Sequence, residues 1–107
     1  MSQLTHASLN VFLRSEGWHV VGTGGGNEAW EKSVGSDGHY LWLTDDDGLS
    51  LPDTVNSRAL LGLYNRDGEC LGDVRDFDTV TGACIAADEI VRQFARIGPS
   101  SDPGSRF

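Results

Sequence analysis

The chain has no apolar run near the roughly 18 residues of a membrane span, and no basic-then-apolar segment opens it. These absences set the expectation of a cytoplasmic protein. Basic residues are scarce, 8 Lys and Arg against 16 Asp and Glu, for a net charge of −8. Such a field repels nucleic acid and anionic membrane and favours a basic protein partner. Only two cysteines occur, Cys70 and Cys84, at neither a metal-type spacing nor the density of a disulfide scaffold. They are expected as reduced, partly buried thiols, with a strand-to-helix bridge left open. His6, His19 and His39 form no i, i+3 or i, i+4 metal pair.

Catalytic and nucleotide signatures are missing as well. There is no Gly-x-Ser-x-Gly elbow and no Gly-Lys-Ser/Thr. The stretch Gly22, Thr23, Gly24, Gly25, Gly26 and Asn27 follows an expected strand, yet Asn27 stands where a dinucleotide fingerprint needs its third glycine. The segment after it is too short for a crossover helix, so an inter-strand loop is the better reading. Asp45, Asp46, Asp47 and Gly48 fit part of an EF-hand phase, but Leu43 and Thr54 occupy the first and last ligand positions. Exposed acids at turn tips lack the desolvation that raises a general acid's pKa. No catalytic residue, cofactor or metal ligand is assigned, and the protein reads as non-enzymatic.

What is present is turn chemistry between short aromatic and aliphatic runs. Asp37 with Gly38, Asp47 with Gly48, and Asp67 with Gly68 are Asp-Gly pairs, and such pairs favour type I′ hairpin turns. At 107 residues the chain makes one domain that buries roughly 65 % of its unfolded surface. Helices are expected over 4–16, stopped at Gly17, and over 81–97, capped by Asp78 or Thr79 and stopped at Gly98 and Pro99. Strands are expected over 18–21, 28–34, 39–44, 59–65 and 69–75, with a loop over 49–58. The fold class is therefore α+β, an antiparallel four- to five-stranded meander flanked by an N-terminal and a C-terminal helix. Residues 1–97 form the domain, and 98–107, rich in Gly, Pro and Ser, form a flexible tail.

Two-residue turns at the Asp-Gly pairs would set Val34 opposite Leu41 and Lys32 opposite Leu43, with Leu63 facing Gly72 and Leu61 facing Val74. One sheet face then collects Val34, Leu41, Leu43, Leu61, Leu63 and Val74 and takes the C-terminal helix. The N-terminal helix turns Leu4, Ala7, Ser8, Val11 and Phe12 to one side. The second sheet face collects Tyr40, Trp42, Leu60, Tyr64 and Leu71 with Glu31, Asp73 and Arg75. It mixes rings with charge, as an interface does, unless the N-terminal helix covers it.

Ten acids lie between Asp37 and Asp78 against Arg58, Arg66 and Arg75 alone. The candidate partner-binding residues are Glu31, Tyr40, Trp42, Asp45, Asp46, Asp47, Tyr64, Asp73 and Asp76. Rings supply contact area at low entropic cost, and acids supply steering and pairing with Arg or Lys. Replacing Asp45, Asp46 and Asp47 together is expected to weaken binding and leave folding intact.

In size, acidity and hairpin-plus-helix plan the chain resembles the small phage and mobile-element anti-CRISPR proteins. The resemblance is one of composition and layout over the whole chain and carries over no individual residue. It implies an acidic inhibitor that docks on a basic, nucleic-acid-handling protein or ribonucleoprotein complex without contacting nucleic acid directly. At about 15 % Asp plus Glu, local docking is a better expectation than imitation of a whole duplex. Two alternatives stand beside it: an immunity protein or antitoxin that neutralises a basic nuclease toxin, and a small ligand-binding domain or enzyme that uses the Gly22–Gly26 loop.

Overall fold

The computed structural model describes residues 6–96. The expected tail, the first residues of the first helix and Ile97 lie outside them. In chain order the elements are α1 (His6–Ser15), β1 (His19–Gly24), β2 (Asn27–Val34), β3 (His39–Thr44), β4 (Ala59–Tyr64), β5 (Arg75–Phe77) and α2 (Val80–Arg96). The five strands form one antiparallel sheet in the order β1-β2-β3-β4-β5. This is the α+β meander, with a helix before it and a helix after it.

Local chemistry sets the element ends. The α1 helix closes on Gly17 at φ 97°, where the Trp18 N–H donates to the Leu13 carbonyl and the Gly17 N–H to that of Arg14. This is a Schellman stop, and only glycine enters that conformation without strain. Thr79 caps α2, its Oγ1 accepting from the Gly82 N–H at 3.0 Å. Among the described residues, the one two-residue primed turn falls in the glycine stretch. Gly24 pairs with Asn27, and Gly25 and Gly26 both take positive φ, 64° and 85°. The stretch joins two strands, and no helix N-terminus follows it.

The Asp-Gly pairs turn the chain differently from expectation. No non-glycine residue among those described has positive φ, so none of the Asp residues enters a type I′ turn. At Asp45 and at Asn65 the carbonyl instead accepts from the N–H of a glycine three residues on, Gly48 and Gly68. The β2–β3 connection is also longer, with Val34 opposite His39 and Lys32 opposite Leu41. The register moves by two residues, which keeps every side chain on its expected face.

Beyond β4 the displacement is odd. Tyr64 bridges to Cys70, but Leu61 pairs with Arg75 rather than Val74. The strand expected over 69–75 is a bridge and a loop through Gly72 (φ 84°), followed by the short β5. Val74 therefore leaves the core face and is 45 % exposed, while Arg75 takes the register position beside Leu61. A one-residue slip exchanges faces, and it does so here.

Both helices pack on the same side of the sheet. Leu9 and Leu13 of α1 and Val80, Ala83, Cys84 and Ala87 of α2 join Trp30, Val34, Leu41, Leu43 and Leu61 in one buried cluster. Each large aliphatic side chain buried there is worth about 1.5–3 kcal/mol. The stripe of α1 differs from the expected one, since Val11 is 70 % and Phe12 39 % exposed. The β3–β4 connection is tied down as well: Pro52 is buried, and the Val55 carbonyl accepts from the Thr81 N–H.

Candidate functional site

With α1 and α2 on one face, the opposite face of the sheet carries no helix among the described residues. A row crosses it in register: His19 beside Glu31, Glu31 beside Trp42, and Trp42 beside Gly62. The Trp42 Nε1–H donates to Glu31 Oε1 at 2.9 Å, and His19 Nε2 lies 3.4 Å from Glu31 Oε2. The indole is thus held by a carboxylate on the neighbouring strand while its ring stays half-buried.

Tyr40 and Tyr64 are direct cross-strand partners with rings stacked at 5.4 Å and 13°. Trp42 meets both at a tilt, 5.6 Å from Tyr40 and 5.1 Å from Tyr64. Ring pairs of this kind add about 0.5–1.5 kcal/mol beyond the area they bury. The Tyr64 ring leans back over its own strand: a Cβ on Gly62 would lie 2.9 Å from Tyr64 Cε1 and Oη. Glycine at 62 is therefore a steric requirement of the Tyr64 rotamer. Burial first, then the neighbouring Cys70 and Tyr40, pushes the Tyr64 hydroxyl above its ordinary pKa and keeps it protonated at neutral pH.

Beside the rings lies an open slot of about 240 Å³ lined by Trp42, Tyr64, Thr23, Thr44, Leu60, Gly62, Gly48 and Val74. Its lining is mainly apolar, and Thr23, Thr44 and Tyr64 are the lining residues that carry hydroxyls. The Thr44 hydroxyl is already engaged, donating to the Asp45 carbonyl at 3.0 Å.

The expected site residues divide into three groups. Glu31, Tyr40, Trp42 and Tyr64 stand together on the open face. Asp46, Asp47 and Asp73 are exposed in the loops at the ends of the strands that carry the slot. Asp45 and Asp76 are engaged by other groups of the chain, Asp76 while still exposed. Asp45 Oδ1 accepts from the backbone N–H groups of Asp47, Leu49 and Ser50 at 3.2–3.3 Å, which makes it the organiser of the turn. Asp45 thereby stands apart from Asp46 and Asp47, and its replacement is expected to carry a structural cost that theirs does not.

Asp76 lies 2.7 Å from Arg58, which also holds Asp78 at 3.0 Å. The bond from Asp76 foremost, and Asp78 second, raises the guanidinium pKa further above its ordinary range. Neither cysteine is bridged: Cys84 is buried and Cys70, expected as partly buried, is exposed.

Sequence reasoning left out Gly62 and Thr44 and set Val74 on the wrong face. An isolated glycine inside an aliphatic strand was the available signal, since it marks a close approach of another group. No group of three or more His, Cys, Asp or Glu among the described residues could hold a metal ion, and none of their helices is long and apolar enough to cross a membrane. Comparison of the chain with protein-family models, with curated proteins and with solved structures finds no match.

Proposed function

We propose that the protein is a non-enzymatic, acidic binding protein that docks the open face of its sheet on a basic protein surface and thereby inhibits it. The observation that supports this reading is the cluster of half-buried rings, Tyr40, Trp42 and Tyr64, on the face opposite both helices. Aromatic side chains on one face that carries no helix among the described residues suit a docking surface, because they give large contact area at small entropic cost. The net charge of −8 adds long-range attraction to a basic partner and disfavours a second copy of the chain. The partner class that best fits this charge is a nucleic-acid-handling protein or ribonucleoprotein complex, whose own substrate demands a basic surface. An immunity protein directed at a basic nuclease toxin follows the same charge logic, and the identity of the captured partner separates the two.

The test is affinity capture with the tagged full chain from lysate of its host, washed at low and then at high salt. Wild type is compared with Trp42→Ala. A basic protein held by wild type, released by salt and lost in the variant supports the reading. Capture that is indifferent to Trp42 refutes it.

A further inference from the structure

Resting on that reading, we propose that the slot beside Trp42 receives an arginine side chain of the partner. Its volume of about 240 Å³ falls below the roughly 300–1,000 Å³ of small-molecule pockets, so it suits a single side chain rather than a cofactor. Rings and aliphatic groups wall it on Trp42, Tyr64, Leu60 and Val74, and Gly62 leaves its floor without a side chain.

No basic residue lines it. Acids adjoin it in the chain instead: Asp47 precedes Gly48, and Asp73 precedes Val74. Both are exposed, and neither makes an ion pair among the described residues. An apolar slot flanked along the chain by two exposed carboxylates matches a side chain that has an apolar stem and a cationic end. Arginine meets this better than lysine, because its planar, weakly hydrated guanidinium stacks on aromatic faces, whereas an ammonium holds its water. The two classes of contact named for the docking face, rings and acids, thus converge on one kind of residue.

The experiment titrates the isotope-labelled full chain with three probes: N-acetyl-arginine methylamide, the citrulline analogue and the norleucine analogue. Backbone amides and the Trp42 indole N–H are followed by NMR. The arginine probe is expected to move the Gly48 and Gly62 amides and the Trp42 indole saturably. Citrulline, alike in shape but uncharged, is expected to bind roughly tenfold more weakly.

Asp47→Asn combined with Asp73→Asn changes only exposed side chains. It is expected to weaken the arginine probe to the level of citrulline and leave norleucine unaffected. Gly62→Ala, which presses a methyl group on the Tyr64 ring, is expected to abolish the response. Because that variant perturbs the strand, the double Asn variant is the deciding one.

Equal binding of arginine and citrulline overturns the proposal, as does an arginine response that leaves Gly62 and Trp42 unmoved. If the probes fail while partner capture still depends on Trp42, the slot assignment falls and docking by the sheet face stands. If capture also ignores Trp42, both fall.

Discussion

The Trp42 indole donates to Glu31 Oε1 at 2.9 Å across the β2–β3 pair, so the largest side chain of the open face is aimed by its neighbour. A ring fixed before contact loses less rotamer freedom on binding than a free one. Glu31→Gln keeps an acceptor at that position and is expected to preserve the indole orientation. Glu31→Ala is expected to shift the Trp42 indole N–H resonance toward that of a solvent-exposed tryptophan and to cost about 0.5–1.5 kcal/mol of stability. Identical indole shifts in the two variants would show that the bond does not hold the ring.

Trp42 and Trp30 make a controlled comparison on opposite faces of the sheet. Trp30 is 1 % exposed in the core, and Trp30→Ala is expected to cost about 3–5 kcal/mol by chemical denaturation. Trp42→Ala is expected to cost clearly less stability and more partner affinity. Comparable losses of stability in the two variants would make Trp42 a core residue.

The acidic turn after β3 separates into one structural and two exposed aspartates. Asp45→Ala removes the acceptor of three backbone N–H groups and is expected to cost about 1–2 kcal/mol. Asp45→Asn retains an oxygen there and is expected to recover most of that loss. Asp46→Asn with Asp47→Asn is expected to leave the melting transition in place and to reduce the salt dependence of partner binding. A large drop in Tm for the exposed pair would contradict this division.

The two thiols are expected to behave as different species. Exposed Cys70 should react with a disulfide reagent in the native protein, and Cys84 only after unfolding. Burial, with Asp88 second, pushes the Cys84 thiol up to about 11 from an ordinary 9.0. The folded chain therefore keeps a proton that the unfolded chain releases, so stability is unaffected below pH 9 and falls between about pH 9 and 11. Cys84→Ala is expected to flatten that part of the stability profile. The same alkaline slope in wild type and variant would assign the loss to other groups.

The meander and both helices were legible because turn residues and hydrophobic periods agree over most of the chain. The face of each residue in β2, β3 and β4 was legible even with a wrong turn, because the β2–β3 register moved by two and side-chain direction repeats every two residues. Beyond β4 the pairing is already one residue off at Tyr64 and Cys70, and the loop through Gly72 then moves it by two. The final displacement is therefore odd, so Val74 and Arg75 exchange faces, and nothing in the local pattern marks it.

The α1 helix carries two apolar stripes, Leu9 with Leu13 and Val11 with Phe12, and only tertiary packing selects the first. Of the candidate site, the rings could be read from their alternation. The slot could not, because two of its lining residues, Gly62 and Tyr64, are set by a rotamer that lays the Tyr64 ring against the Gly62 backbone.

Docking through the open sheet face and docking through the helices predict different sensitivities to mutation. The most direct measurement is the affinity of the captured partner for three full-length forms: wild type, Trp42→Ala on the open sheet face, and Val11→Ser with Ile85→Ser on exposed positions of the helices. An affinity loss of tenfold or more, about 1.4 kcal/mol, in Trp42→Ala with an unchanged helix variant is the expected result. Loss in the helix variant with Trp42→Ala unaffected would contradict the account.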